Sequence, residues 1–299
     1  MTRVWAALLL LTLPLTSLAD LRIFACEPEW AALAGEIGHD HVDTYSATTA
    51  FADPHYIQAK PSLIAKVRNA DIVICSGAQL EIGWLPMLLQ KANNRDVMPG
   101  TQGYMEASSF VLRLEATGST DRSQGDIHPH GNPHVQTDPH NIAHVAVALA
   151  ERMAKLDPGN AAIYEAGLAD FNARWADAIE NWEKRASGLR GTRAITHHKS
   201  WVYLQRWLGI AEVANLEPIP GLPPTMSHLS QLLSQFENGG ADFIIRSTYQ
   251  NKKSSDWLSD RTEIPAILLP LTVGGTDEAS DLFALFDDII NRLLDAIAS

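Results

Sequence analysis

The chain has 299 residues, with 35 acidic residues against 23 basic ones and a formal net charge of −12. This acidic balance disfavours binding to nucleic acids and to anionic membranes, and it mildly favours the binding of cations. The length predicts two domains of ordinary size, each able to bury a hydrophobic core.

Residues 1–19 have the pattern of a secretory signal peptide. A positive charge at Arg3 precedes an apolar run from Val4 to Leu15, and Ser17-Leu18-Ala19 has the small residues of a cleavage site. A segment of this kind is too short to span a membrane. We therefore predict cleavage after residue 19 and a soluble mature protein outside the cytoplasm.

Strand-like and helix-like patterns alternate from residue 21 to residue 114. The predicted strands are 21–26, 41–47, 71–75 and 110–114, and the predicted helices are 29–38, 61–69 and 80–93. This alternation predicts an α/β lobe with a parallel sheet, in which ligands bind beyond the carboxyl ends of the strands. His55 lies in the loop after the second strand, which is the correct edge for a ligand.

Cys26 and Cys75 each end one of these apolar runs, so both are expected at the same edge of the sheet. In an oxidising compartment this placement favours a disulfide. Two buried free thiols are the alternative, because the pairing depends on the assumed neighbourhood of the two strands.

Five of the eleven histidines lie between residues 125 and 144, and a His-rich tract of this kind indicates metal binding. The residues at 115–133 are mostly small, polar, Gly or Pro, which predicts a mobile loop. Its Asp126, His128 and His130 are expected to recruit metal loosely. His134 stands just before a helix start at Thr137-Asp138-Pro139, so we expect it to belong to a formed site.

His140 and His144 are a second candidate pair, because they lie at i and i+4 of the helix that Pro139 opens. Zinc enzymes with the motif His-Glu-x-x-His have the same spacing. Here Asn141 stands where those enzymes carry their glutamate general base. A secreted zinc hydrolase is therefore an alternative function that this residue argues against.

The second half of the chain begins with a helical pattern of roughly thirty residues. Its apolar stripe consists of Leu168, Phe171, Trp175, Ile179, Trp182, Ala186 and Leu189. A second α/β alternation follows, with predicted strands at 193–196, 210–214, 243–246 and 266–269 and predicted helices at about 199–208, 227–238, 251–262 and 279–297. The pattern therefore predicts a second α/β lobe after one long helix.

Candidate ligands in this half also follow strands. His197 and His198 come after the strand at 193–196, and their spacing alone does not choose between them. The loop after the last strand contains two glycines, which allow close backbone approach, followed by the carboxylates of Asp277, Glu278 and Asp281. An equally good interpretation of these acids is that they open the last helix.

Several motifs together resemble those of the metal-binding solute-binding proteins of ATP-binding-cassette importers. They are Asp53-Pro54-His55, Lys60-Pro61-Ser62, Asn69-Ala70-Asp71-Ile72-Val73, Leu80-Glu81, Asn132-Pro133-His134, Asp138-Pro139, His198-Lys199-Ser200-Trp201 and Tyr203-Leu204. The resemblance covers nearly the whole chain after residue 19. It implies an N-terminal α/β lobe at 20–157, with the His-rich loop at 115–133, a rigid linking helix at 158–189 and a C-terminal α/β lobe at 190–299.

The resemblance also implies that His55, His134 and His198 converge between the lobes, with a carboxylate of the last loop completing the metal site. We choose Asp277 over Asp281 because it follows the glycines more closely. Manganese relatives in this family place a carboxylate at the position of His198, whereas zinc relatives keep histidine and carry a His/Asp-rich loop. This chain has both traits of the zinc relatives. Ligand chemistry agrees with zinc as the expected metal, because histidine-rich four-coordinate sites suit zinc.

The expected function is high-affinity capture of Zn(II) in the periplasm and its delivery to the permease of an importer. The resemblance implies that the His-rich loop collects zinc or takes it from a metallochaperone. We expect a monomer that is not an enzyme and does not bind nucleic acid. A manganese-binding transport protein of the same fold is the alternative within the family.

Overall fold

The computed structural model describes residues 20–116, 118, 125, 126 and 128–298, which form two α/β lobes. The predicted signal peptide at 1–19 lies outside this part of the chain, as do several positions of the predicted loop at 115–133. Across the described residues, no helix combines the length and the apolar character needed to cross a membrane.

The N-terminal lobe is built on a parallel four-stranded sheet. Its strands are β1 (Leu21–Ala25), β2 (Val42–Ser46), β3 (Ile72–Cys75) and β4 (Tyr104–Glu106), and helices α1 (Pro28–Gly38), α2 (Pro61–Asn69) and α3 (Leu85–Ala92) follow the first three of them. The strand order is β2-β1-β3-β4. Proline stands in the first turn of each of these helices, where the missing N–H costs no hydrogen bond.

Two helices lead from the first sheet to the second. Helix α4 (Pro139–Leu156) begins at an N-cap, Asp138, whose side chain accepts a hydrogen bond from the backbone N–H of His140. Helix α5 (Ala161–Arg185) is flanked by short 3-10 turns at 158–160 and 186–189. The predicted linking segment at 158–189 therefore contains one long helix and its two end turns, while the predicted domain boundaries stay a prediction.

The C-terminal lobe repeats the parallel arrangement. Its strands are β5 (Arg193–Thr196), β6 (Ala211–Asn215), β7 (Phe243–Ser247) and β8 (Ala266–Leu269), and its helices are α6 (Val202–Leu208), α7 (Met226–Phe236), α8 (Lys253–Thr262) and α9 (Leu282–Ala298). The strand order is β6-β5-β7-β8, the same as in the first sheet. The prediction of two α/β lobes with parallel sheets is confirmed.

One central hydrophobic core includes residues from both sheets and from α5. The indole rings of Trp175 and Trp182 in α5 have centroids 5.1 Å apart, and Trp182 lies 5.1 Å from Phe286 of α9. On the other side, α5 approaches α1 so closely that a Cβ at Gly167 would lie 2.1 Å from the carbonyl oxygen of Ile37. Helix α5 therefore packs against both lobes.

The first sheet confirms one prediction and corrects another. Cys26 and Cys75, at the carboxyl ends of the neighbouring strands β1 and β3, form a disulfide. The fourth strand is Tyr104–Glu106, whereas the predicted strand at 110–114 lies outside the sheet. Leu112 in that run is 69% exposed, whereas Val111 and Leu114 pack against the hydrophobic core without joining the sheet.

Candidate metal centre

Three histidines meet where the carboxyl edges of the two sheets face each other. His55 lies in the loop after β2, His134 precedes α4, and His198 follows β5. Each side chain is buried, and one ring nitrogen of each lies within 4.8 Å of the other two. The structure therefore brings together the three histidines predicted to bind metal, and their assignment as ligands stays a prediction.

The rings are arranged edge to face around a common point. Ring centroids lie 5.8 Å apart for His55 and His134, 5.6 Å for His55 and His198, and 5.9 Å for His134 and His198. Zinc–nitrogen bonds of about 2.0–2.1 Å place two ligands of a tetrahedral ion about 3.4 Å apart. Small shifts of the three rings would therefore bring their nitrogens to the spacing of a tetrahedral ion.

Carboxylates hold two of the three histidines by their Nδ1 atoms. Asp53 Oδ1 lies 2.8 Å from Nδ1 of His55 and also accepts a hydrogen bond from its backbone N–H, at 3.0 Å. Glu217 Oε2 lies 2.7 Å from Nδ1 of His198. Burial alone would raise the pKa of Asp53, but the hydrogen bonds from His55 and the charge interactions with His55 and His198 together outweigh burial, so the pKa is lowered. A carboxylate at Nδ1 fixes the tautomer and leaves Nε2 for a metal.

His134 is positioned by the side chain of Asn132, which bridges backbone groups of the two lobes. Its N–H donates to Asn132 Oδ1 at 3.0 Å, and Asn132 Nδ2 donates to the carbonyl oxygen of Lys199 at 2.7 Å. Burial lowers the pKa of His134 well below its ordinary value, so its imidazole is neutral. Its Nε2 is buried without a hydrogen-bond partner in the described structure, as a nitrogen intended for a metal would be.

The residues predicted to recruit metal have three different environments. His128 Nε2 lies 3.4 Å from Nε2 of His55, and burial lowers the pKa of His128 to about 3. The carboxylate of Asp126 accepts hydrogen bonds from the hydroxyl of Tyr56 at 3.1 and 2.9 Å. His130 is exposed. Their recruiting role stays a prediction.

The structure does not bring Asp277 to the three histidines. Its side chain is exposed, and it is not part of the group of close ligand atoms. The preceding loop closes on itself, because Gly275 N–H donates to Thr272 O and Gly274 N–H donates to Ala279 O, which leaves the acidic segment at the surface. Asp281 is also exposed and accepts a hydrogen bond from Ala284 N–H in the first turn of α9. A ligand role for Asp277 stays a prediction that this arrangement does not favour.

The pair considered for a hydrolase lies outside this centre. His140 Nδ1 is 3.0 Å from Asp138 Oδ1, and its Nε2 is 3.6 Å from Glu183 Oε1. His140 and His144 are exposed, and within the described residues they do not belong to any compact group of three metal-binding side chains.

A cluster of buried carboxyl groups lies at the carboxyl edge of the first sheet. Glu27 accepts hydrogen bonds from the N–H and hydroxyl of Ser76 at 3.1 Å, and Glu81 accepts from the N–H of Gly77 at 3.2 Å. Burial raises the pKa of Glu29 and of Glu81 to about 7, and that of Glu27 well above its ordinary value. We call these three glutamates the buried carboxyl cluster.

Sequence reasoning named Glu81 only as part of a motif, and it assigned no role to Glu217 or to the buried carboxyl cluster. Glu217 follows β6 at the carboxyl edge of its sheet, and that position was the available signal. Glu27 and Glu29 flank Pro28 at the start of α1, where acids are ordinarily explained by the helix dipole.

The chain matches a family model described as the periplasmic component A of the zinc-uptake complex, ZnuA, over residues 23–298. The high-affinity zinc uptake system protein ZnuA of Yersinia pestis is 24% identical over 196 residues, which are 62% of this chain and 62% of that protein. The manganese ABC transporter substrate-binding lipoprotein PsaA of Streptococcus anginosus is 25% identical over 162 residues, 53% of this chain and 49% of that protein. The chain thus spans less than two thirds of the length of each of these relatives.

A solved structure shows the same fold. The crystal structure of a ZnuA protein superposes with a TM-score of 0.75 and 23% sequence identity, covering 92% of this chain and 99% of that one. The two-lobe arrangement therefore extends over nearly the whole of that protein.

Proposed function

Because this chain belongs to the family of ZnuA, the periplasmic metal-binding component of ABC-type zinc importers, we propose that it captures Zn(II) with high affinity outside the cytoplasm. Proteins of this family are transport proteins that work with a membrane permease, not enzymes. We propose that this one acts as a monomer, delivers its ion to the permease of an importer, and loses residues 1–19 on export.

The observation that supports zinc capture is the convergence of His55, His134 and His198 at one buried point between the lobes. Each would donate a neutral imidazole, and protons compete with the ion for that nitrogen, so affinity falls as the pH falls. A site in which protein ligands fill every position leaves none for an activated water, which suits a carrier.

The identity of the ion is part of the proposal, since one relative is named for zinc uptake and the other for manganese transport. Three imidazoles suit zinc, whereas carboxylate and carbonyl oxygens suit manganese. Manganese is also the weakest binder among the divalent first-row transition metals at a nitrogen site, according to the general order of affinities. The ligand set therefore favours zinc.

We further propose that Asp126, His128 and His130 help the site to acquire zinc, from solution or from a periplasmic zinc metallochaperone. His130 supports this role because it is exposed and accessible to an incoming ion or donor protein. The other two lie beside the site itself.

The test is zinc stoichiometry and affinity, measured by competition with a chelator of known strength on the chain without residues 1–19. The variants H55A, H134A and H198A are each expected to weaken tight 1:1 binding by about 100-fold or more. H144A, at an exposed histidine of α4, is the matched control and should bind like the unmodified protein. Tight binding that survives all three substitutions would overturn the proposed site.

Metal competition and a turnover assay separate the alternatives. Manganese should fail to displace zinc at equal concentrations. Preferential retention of manganese would show that the transported ion is manganese. Hydrolysis of ester or peptide substrates that depends on His140 and His144 would instead support an enzyme.

A further inference from the structure

We propose that Asn132 and Tyr203 form an inter-lobe clamp that fixes the spacing between His134 and His198 at the metal site. Both are positioning residues, because they act through the histidines and neither is itself assigned to the ion. This inference rests on the proposed function, since it concerns how the same ion is held. It gives a role to two residues of the sequence motifs that zinc capture alone does not explain.

The amide of Asn132 joins the two histidines across the lobes. Its Oδ1 accepts from the N–H of His134 at 3.0 Å, and its Nδ2 donates to the carbonyl oxygen of Lys199 at 2.7 Å. Lys199 directly follows His198, so one side chain connects the backbone segments that carry both histidines. Asn132 is only 5% exposed, and hydrogen bonds shielded from water in this way are stronger than exposed ones.

The hydroxyl of Tyr203 holds Asn132 in place. It donates to the carbonyl oxygen of Asn132 at 2.7 Å and accepts from the N–H of Leu114 at 3.1 Å. The N–H of Asn132 in turn donates to the carbonyl oxygen of Leu114 at 2.7 Å. Tyr203 lies on α6 of the C-terminal lobe and is 2% exposed, so the clamp is a buried hydrogen-bond network with members from both lobes.

The clamp matters because the histidines of the site come from both lobes. His55 and His134 lie in the N-terminal lobe, whereas His198 follows β5 of the C-terminal lobe. Zinc–nitrogen bonds of about 2.0–2.1 Å leave little tolerance, and supporting residues must hold such ligands to within about 0.5 Å. The clamp therefore determines where the C-terminal lobe presents its histidine. Since the same contacts join the lobes, we expect zinc binding and lobe docking to stabilise each other.

Zinc affinity and the visible spectrum of the Co(II)-loaded protein test the clamp. The Co(II) bands respond to ligand geometry, which a general loss of stability would not change. N132A should weaken zinc binding by about 10–100-fold in chelator competition and should alter the Co(II) spectrum. Y203F keeps the ring that fills the core, and it should weaken zinc binding by about tenfold with the same kind of spectral change. N132A/Y203F should bind zinc no more weakly than N132A, because Tyr203 acts through Asn132.

Two matched controls remove the same chemical groups away from the site. Asn94 Oδ1 accepts from the N–H of Asp96 at 3.1 Å and Nδ2 donates to Ala70 O at 2.8 Å, so this amide also bridges backbone groups, but within the N-terminal lobe. Tyr164 is fully buried and donates its hydroxyl to Asp157 at 2.6 Å. N94A and Y164F should keep the zinc affinity and the Co(II) spectrum of the unmodified protein.

The outcomes distinguish the clamp from the proposed function. Unmodified zinc affinity and an unmodified Co(II) spectrum in N132A would overturn the clamp, as would equal losses in N94A or Y164F. Additive losses in N132A/Y203F would show that Tyr203 does not act through Asn132. Failure of the unmodified protein to bind zinc tightly would instead contradict the proposed function.

Discussion

At the residue scale, the carboxylates behind the histidines are expected to control zinc affinity. Glu217 holds Nδ1 of His198 at 2.7 Å and thereby directs Nε2 toward the ion. Loss of such an outer partner weakens metal binding by about 10–100-fold. We expect E217Q to lower zinc affinity by about tenfold or more, measured by chelator competition, because an amide also permits the wrong tautomer.

A similar pair outside the site provides the control. Asp138 Oδ1 lies 3.0 Å from Nδ1 of His140, and an asparagine at this position can still cap α4. D138N should therefore leave zinc affinity unchanged. Equal affinity of E217Q and the unmodified protein would show that Glu217 does not orient the ligand.

The histidines of the site could be predicted, and their supporting residues could not. His55 and His134 stand at a loop and a helix start that the local sequence reveals, and the family resemblance selected His198 from its neighbour His197. The partner of His198 is Glu217, on another strand's loop, and this pairing is set by the sheet order. Spacing from glycines likewise did not determine which way Asp277 faces.

At the element scale, the disulfide between Cys26 and Cys75 is expected to stabilise the first sheet. It joins the ends of β1 and β3 across 49 residues of chain, and a loop of this length corresponds to about 4 kcal/mol of unfolding free energy in the chain-entropy description. We expect reduction, or the double variant C26A/C75A, to lower stability in urea by about this amount.

Comparison with and without reductant provides the control for this prediction. The double variant should unfold at the same urea concentration in both conditions, whereas the unmodified protein should shift. Identical curves for the unmodified protein would mean that the disulfide contributes nothing measurable to stability.

Alanine substitution of two helical glycines near the contact of α1 with α5 is expected to change stability in opposite directions. A Cβ at Gly167 of α5 would lie 2.1 Å from the carbonyl oxygen of Ile37, whereas a Cβ at Gly35 of α1 would meet nothing within 4 Å. We expect G167A to destabilise the protein by about 1–3 kcal/mol and G35A to stabilise it by about 0.5–1 kcal/mol. Thermal and urea unfolding of both variants would measure this, and equal signs would contradict the close packing of α5 on α1.

The elements themselves were largely predictable, because apolar periodicity and proline mark most of their positions. The error at 110–114 is instructive, since this run has strand-like residues but lies beyond the edge strand Tyr104–Glu106. Sheet membership there depends on pairing with β3, a non-local contact that no local pattern contains.

At the scale of the whole molecule, the two lobes were predicted from repeated alternation, but the contacts between them were not. Thr272, after β8, donates its hydroxyl to Glu29 of α1, so a buried carboxyl group joins the C-terminal lobe to the N-terminal one. The two residues are 243 positions apart, and neither stands in a motif. Such contacts depend on how α5 sets the lobes relative to each other.

This buried carboxyl group predicts a pH dependence of stability. Burial raises the pKa of Glu29 from 4.5 to about 7, so the folded protein keeps a proton that the unfolded chain releases. The resulting stabilisation is fully present below pH 4.5 and is lost as the pH rises through about 7. The size of the loss is on the order of 3 kcal/mol, at 1.36 kcal/mol for each pKa unit.

Glutamine stays neutral at both pH 5 and pH 8. The free energy of unfolding of E29Q should therefore fall less between pH 5 and pH 8 than that of the unmodified protein. Urea unfolding of zinc-free protein at the two pH values measures this. E165Q, at an exposed position of α5, is the control and should follow the unmodified protein at both. Burial of His134 lowers its pKa, so His134 reduces the stability of the folded protein as the pH falls below about 6.5. This effect is present in all three proteins and cancels when they are compared. Parallel pH profiles of E29Q and the unmodified protein would show that Glu29 is ionised in the folded state.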